Sequence, residues 1–229
     1  MAKLTIKDIL AFEVLDSRGN PTLAAEVILS DNNSSIAYVP SGASTGKYEA
    51  LESRDKDKSR FRGKGVSKAV SFIKNELKES IIGLDPLDQK AIDTSLCKAD
   101  GTDNKSVLGA NSILAVSLAN LRASALTRSM PLYQYIYSLN KEVSKLNKEP
   151  ILPVPMLNIL NGGVHADNKI DFQEFMIQPL GFDTFKLALQ CGVEIFHELK
   201  NLLKNKNLST SIGDEGGFAP QLETTEEVL

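Results

Sequence analysis

A polar tract at residues 140–149, Asn-Lys-Glu-Val-Ser-Lys-Leu-Asn-Lys-Glu, divides this chain into two unlike halves. Pro150 closes the tract, and Pro153 and Pro155 follow. Proline lacks a backbone donor and pushes the residue before it towards extended geometry, so no helix or inner strand runs through 150–155. A polar stretch closed by prolines is where few contacts bridge two folding units. We read residues 1–140 as one domain and residues 141–229 as the beginning of another.

The first half opens with strands. Leu23, Ala25, Val27 and Leu29 alternate along one face, residues 31–35 form a turn cluster, and Ile36 to Val39 resume. Residues 21–40 therefore predict an antiparallel hairpin, with an earlier strand near 4–14. Helices follow. Val66, Val70, Ile73, Leu77 and Ile81 fall at spacings of four and three. Asp85-Pro86 reads as the start of a second helix continuing through Leu87, Ala91 and Ile92. A third spans about 110–126, with Ile113, Leu114, Leu118 and Leu121 facing a core. Strands followed by helices, without alternation, predict an α+β fold with an antiparallel sheet of about three strands.

The second half is patterned differently. Residues 154–160 and 170–177 are apolar runs of strand length, and Phe185, Leu189, Val193, Phe196, Leu199 and Leu203 trace one face of a long helix. Thr224-Thr225-Glu226-Glu227 has the form of a capping box, so a helix is expected to begin there.

Composition excludes several function classes. Hydrophobic residues make up 42% and charged residues 24%, and 26 Lys+Arg against 29 Asp+Glu give a net charge of −3. Such a chain has no basic footprint for nucleic acid. No window approaches 18 uninterrupted apolar residues, and the start, Met-Ala-Lys-Leu-Thr-Ile-Lys-Asp, lacks an apolar core, so neither membrane insertion nor a signal peptide is expected. Cys97 and Cys191 lie far apart with no CxxC spacing and read as free or buried thiols of a reducing, cytoplasmic compartment.

Four glycine-marked segments carry candidate chemistry. Pro40-Ser41-Gly42-Ala43-Ser44-Thr45-Gly46 is a loop of small hydroxyl residues that can move and offer oxygen ligands to a hard cation; a plain surface turn has the same composition. Asn161-Gly162-Gly163-Val164-His165 sets a histidine after a Gly-Gly turn, where imidazole can meet an anion or simply cap the turn. His197, inside the amphipathic helix, reads as structural. Gln173 and Glu174 interrupt the apolar run 172–177; regular pleating cannot aim both inward, although a strand-end position relaxes that. Gly213-Asp214-Glu215-Gly216-Gly217 wraps two acids in glycines, giving either a solvated loop or a general acid with a raised pKa.

Taken together the segments resemble the enolase family. Asp16-Ser17-Arg18-Gly19-Asn20-Pro21-Thr22, the 40–46 loop, Arg54-Asp55, residues 63–66, residues 108–117, Asn161 to His165, Gln173 to Ile177 and Gly213 to Pro220 match its pattern in order. The resemblance implies an α+β N-terminal domain followed by the opening elements of a β/α barrel. It implies Mg²⁺-dependent dehydration of 2-phosphoglycerate to phosphoenolpyruvate in a cytoplasmic homodimer. Two Mg²⁺ ions then stabilise an enediolate that is otherwise too highly charged to form. Carried onto this chain, Glu215 is the proton donor to the leaving hydroxyl and Glu174 a second carboxylate beside it. His165 and Gln173 contact substrate, Gly42 and Ala43 contribute backbone contacts, and Ser44 ligates the second Mg²⁺.

The departure from the family is one of length. The lysine base and the ligands of the first Mg²⁺ belong to a part of the pattern beyond Leu229, and residues 141–229 are too few for a barrel, which takes about 200. The chain alone is therefore expected to be inactive. An acid-sugar dehydratase of the same superfamily is disfavoured by the 40–46 loop and the 213–217 turn. A non-catalytic alternative, a surface-exposed interaction protein or fragment derived from enolase, has no dedicated sequence feature.

Overall fold

In the computed structural model the described residues are 3–42, 45–144, 149–213 and 216–229. They fall into two units, Met1–Lys148 and Glu149–Leu229, a division lying inside the polar tract.

The first unit begins with three antiparallel strands, β1 (Ile6–Leu15), β2 (Pro21–Leu29) and β3 (Ser34–Tyr38), in the order β1-β2-β3. Ala25 of the central strand pairs with Ala11 on one side and Ala37 on the other. The alternation of Leu23, Ala25, Val27 and Leu29 marks only one of its faces, because Ala24 on the other face is fully buried too. The β2–β3 turn is set by Asn32 at φ +66°, where asparagine is tolerated, and by Asp31 Oδ1 accepting the Asn33 N–H at 2.9 Å.

The stripe from Val66 forms α1 (Ser67–Phe72), a π turn (Ile73–Leu77) and α2 (Lys78–Ile81). A four-residue step overshoots an α-helical turn by about 40°. The wider π turn takes part of this back and keeps Ile73, Leu77 and Ile81 all fully buried. The exposed amides at the start of α1 are met from a distance. Asp55 accepts from the N–H groups of Ser67 and Lys68, both at 2.9 Å, and Glu13 from that of Val66 at 2.8 Å. Arg60 pairs with Glu13 and lies 3.6 Å from Asp55.

The second helix starts later than the Asp85-Pro86 signal predicts. Helix α3 spans Gln89–Asp100, and its cap is Asp88, whose side chain accepts from the Ala91 N–H at 2.9 Å. Asp85 instead accepts from the Leu87 N–H at 3.0 Å. The Pro86 carbonyl is taken by Asn120 Nδ2 at 2.9 Å and Ser124 Oγ at 2.7 Å, both on α4 (Ala110–Thr127), so it cannot begin a helical ladder. Helix α4 lays its fully buried Ala115, Ala119 and Ala123, four residues apart, into the core, where small side chains allow close approach to β2 and β3. Helix α5 (Leu132–Ser144) completes the unit.

The second unit contains β4 (Leu157–Asn161), β5 (Glu174–Ile177) and α6 (Phe185–Asn205). The first two strands are antiparallel, unlike the uniformly parallel strands of a regular β/α barrel. Their connection, 162–173, carries only a three-residue 3₁₀ turn, so no helix carries the chain back to the same end. After α6, Phe218 returns to pair in parallel with Leu160 of β4. Phe218 is fully buried and stacks on Phe196 of α6 with ring centroids 4.4 Å apart.

The packed face of α6 keeps Phe185, Phe196, Leu199 and Leu203 of the predicted stripe but not Leu189 and Val193. Ala188, Gly192 and Leu203 are buried, whereas Leu189 and Val193 are 39% and 42% exposed. Gly192 explains this: a Cβ there would sit 2.6 Å from Leu157 Cδ1, so β4 packs directly on the helix backbone. His197 is exposed rather than structural. Residues 224–227 form a turn in which Thr224 Oγ1 accepts from the Glu227 N–H at 3.3 Å, while Glu227 reaches back to the Glu223 N–H at 2.9 Å. Both cysteines are free, and no helix among the described residues is long and apolar enough to cross a membrane.

Candidate active site

In the second unit the end of β4 organises the site. Asn161, fully buried, donates from Nδ2 to the Gly217 carbonyl at 2.8 Å and accepts from Asn158 Nδ2 at 2.5 Å. Gly162 leaves no room for a side chain, since a Cβ would lie 2.6 Å from Ile170 Cβ. Gly163, at φ +53°, turns the chain into the 3₁₀ segment Gly163–His165. The Gly162 N–H donates to Gln173 O at 3.0 Å and the Gly163 N–H to Ile170 O at 2.6 Å. Asn168 Nδ2 donates to the carbonyls of Asn161 and Pro220, at 3.0 and 3.1 Å. The 162–173 connection is thereby closed on itself and tied to the segment after α6.

This folding delivers His165 to a definite place. The residue is 7% exposed, and its Nδ1 lies 3.5 Å from Glu174 Oε1 without a hydrogen bond. Glu174 opens β5 opposite Asn161 in the register. Among the described residues neither ring nitrogen of His165 has a hydrogen-bond partner. Unpaired buried polar groups are costly and few in folded proteins, so an imidazole in this position is available to a ligand. A neutral ring can accept or donate there, and a protonated one can pair with an anion or with Glu174.

Glu174 takes the strand-end position that relaxes the pleating conflict, and Gln173 precedes the strand; both residues are exposed. Glu215 lies outside the described residues, but its flanks do not. The Gly213 N–H donates to Gly217 O at 2.8 Å, and a Cβ on Gly213 would stand 2.5 Å from Asn161 Nδ2 and 2.8 Å from His165 O. Gly213 and Gly217 thus press against the Asn161–His165 segment, which also meets Gln173 and Glu174, so three of the four motifs come together in this unit.

The 40–46 loop belongs to the first unit. Ala43 and Ser44 lie outside the described residues. Gly42 is exposed, and its carbonyl accepts from Arg18 Nη2 at 3.2 Å; the Ser41 carbonyl accepts from the same nitrogen at 2.8 Å. Arg54 Nη2 reaches Ser41 Oγ at 3.3 Å while pairing with Glu52 at 2.7 Å. At the other end the Gly46 N–H donates to Glu49 Oε2 at 2.8 Å. Sequence reasoning noted these arginines only as parts of motifs and passed over Asn168. Their use is set by distant carbonyls, for which the sequence gives no local signal.

The family model described as "Enolase, N-terminal domain" matches residues 6–136, and "Enolase, C-terminal TIM barrel domain" matches residues 149–229. The chain is 54% identical over its full 229 residues to an enolase of Ehrlichia canis (strain Jake), covering 52% of that protein. It is 55% identical over 226 residues to an enolase of Helicobacter pylori (strain ATCC 700392 / 26695), covering 99% of this chain and 51% of that one. The chain spans about half the length of these curated relatives. With an α+β unit, the opening elements of a barrel unit, and both domain models matched in order, the chain belongs to the enolase family.

Proposed function

We propose that the protein carrying these residues is a hydro-lyase that interconverts 2-phosphoglycerate and phosphoenolpyruvate in glycolysis and gluconeogenesis. The observation that most directly supports this is the buried His165 imidazole, unpartnered among the described residues and 3.5 Å from Glu174, on a segment packed against Gly213. An anionic substrate suits a histidine so placed, and a neighbouring carboxylate suits departure of a hydroxyl group. In this reading Glu215 protonates the leaving hydroxyl, Glu174 assists its departure, and His165 and Gln173 hold the substrate. Gly42 and Ala43 add backbone contacts.

Mg²⁺ is the cofactor this reading requires, with Ser44 as one ligand. The described residues do not themselves form a site for it, since no group of three or more His, Cys, Asp or Glu converges among them. A cytoplasmic homodimer is the assembly and location that go with this reading.

The test is direct. Full-length protein mixed with 2-phosphoglycerate and Mg²⁺ should show the rise in ultraviolet absorbance of phosphoenolpyruvate. A polypeptide of only these 229 residues should show none, because a barrel takes about 200 residues and the second unit has far fewer. No rise from the full-length protein, or a Mg²⁺-dependent rise from the 229-residue chain, overturns the corresponding half of the proposal.

A further inference from the structure

The turn between β1 and β2 is built around one carboxylate. Asp16 Oδ1 accepts the N–H groups of Arg18 at 2.9 Å and Asn20 at 2.8 Å, and the Asp16 N–H donates to Asn20 O at 2.9 Å. Gly19, at φ +74°, closes the turn. The Asn20 amide foremost, aided by that of Arg18, holds the Asp16 carboxyl below its ordinary pKa, so the charge that fixes the turn persists well into acid. This geometry aims Arg18 away from the sheet and onto the carbonyls of Ser41 and Gly42. Asp16 Oδ2 stands 4.0 Å from the same guanidinium nitrogen, backing the cation without competing for its protons.

We infer that Arg18 is a positioning residue for the 40–46 segment, holding its first residues by two backbone carbonyls. What the segment does rests on the proposed function, in which Ser44 ligates Mg²⁺; that Arg18 holds it does not. Arg54 is a second anchor, but it also donates to Pro21 O at 2.6 Å and Lys64 O at 2.8 Å, so its removal disturbs more than the loop. The Arg18 side chain has no other hydrogen-bond partner among the described residues and is the cleaner test. The Gly46 N–H to Glu49 bond holds the far end of the segment. Without Arg18 the near end keeps the Arg54 contact to the Ser41 hydroxyl but loses its hold on the backbone, and misplacement of a catalytic group by about 1 Å costs up to about 100-fold.

The experiment uses full-length protein with Arg18→Met and Arg18→Lys. Arg18→Met is expected to lower kcat/KM by about 10- to 100-fold and to raise the Mg²⁺ concentration giving half-maximal activity. Both carbonyls are met by one guanidinium nitrogen, and the shorter lysine side chain keeps the charge without that nitrogen's reach and planar orientation, so Arg18→Lys should recover only part of the loss. Hydrogen exchange without substrate supplies a readout independent of activity: residues 40–47 should exchange faster in Arg18→Met while residues 23–29 are unchanged. Equal exchange in the 40–47 segment overturns the inference. Faster exchange throughout the sheet overturns it as well, by showing a general structural role. If wild-type protein shows no dehydratase activity the proposed function falls, and the exchange data still decide whether Arg18 holds the segment.

Discussion

Replacing Asp100 with alanine should lower the stability of the first unit by about 3 kcal/mol or more, among the larger losses a single substitution there can cause. Asp100 is 5% exposed at the end of α3. Its Oδ1 accepts the Thr102 N–H at 3.0 Å and the Thr102 hydroxyl, and its Oδ2 accepts the N–H groups of Val107 at 3.1 Å and Leu108 at 2.7 Å. One side chain thus organises the 101–108 loop that leads into α4. Alanine orphans the buried Leu108 amide, at about 1–3 kcal/mol for a buried donor left unpaired, and the part-buried amides of Thr102 and Val107, at a smaller cost each. Urea denaturation of wild type and variant measures the difference.

The effect carries a pH signature with a definite sign. Burial alone would raise the Asp100 pKa, but the Thr102 hydroxyl and the amides of Leu108, Thr102 and Val107 outweigh it, so the folded-state value lies below the ordinary 3.8. A depressed carboxyl pKa contributes stability that is fully present above the unfolded-state value and lost as pH falls through the folded-state value. The gap between wild type and Asp100→Asn should therefore be full at neutral pH and narrow only in acid, below about pH 4. A gap that is constant from neutral pH down into that acid range contradicts this account.

The second large effect is expected at Gly217. A Cβ there would lie 2.6 Å from Leu160 N and 2.8 Å from Ile159 C, both backbone atoms of β4 that no rotamer change can move. Gly217→Ala must push the segment off β4. That strains the Asn161 N–H to Phe218 O bond at 2.8 Å, the Phe218 N–H to Ile159 O bond at 2.9 Å, and the bond from the Asn161 side chain to Gly217 O. Overpacking of this kind costs about 1–3 kcal/mol. In the full-length protein the same shift displaces the 213–217 turn from His165, and a fall in kcat of about 100-fold is expected, the cost of roughly 1 Å of misplacement. Gly216→Ala is the control for crowding, because nothing lies within 4 Å of a Cβ there, although its φ of +89° adds backbone strain. A Gly217→Ala enzyme with wild-type kcat overturns the argument.

Much of this was legible in residue order. Alternation in β2, the stripe from Val66 and the glycine-flanked motifs each report a local requirement, and the folded elements lie where those requirements put them. What was not legible depended on distant partners. Asp85 and Asp88 are equally good caps by type; the choice was made by Asn120 and Ser124, which claim the Pro86 carbonyl. On α6 only Leu189 and Val193 of the apolar stripe lie exposed, because contact with Leu157 favours the residue with no side chain, Gly192. The antiparallel start of the second unit follows from a connection without a helix, a feature that apolar run lengths do not encode. At the site, Glu174 and His165 were each visible as candidates, but their 3.5 Å approach was not.

The pairing of β4 on both sides has a consequence for how the second unit assembles. Its antiparallel partner β5 is close in sequence, and hairpin closure of that kind takes about 1–10 μs. Its other neighbour comes from 56 residues away, the separation of Asn161 and Gly217, and α6 must form in between. Local pairing precedes distant pairing because the chain entropy of the longer closure has to be overcome first. The His165 side of the site is thus organised early and the 213–217 side late. Gly217→Ala should accordingly act on the unfolding rate and leave the folding rate nearly unchanged, whereas disruption at Gly162 should slow folding itself.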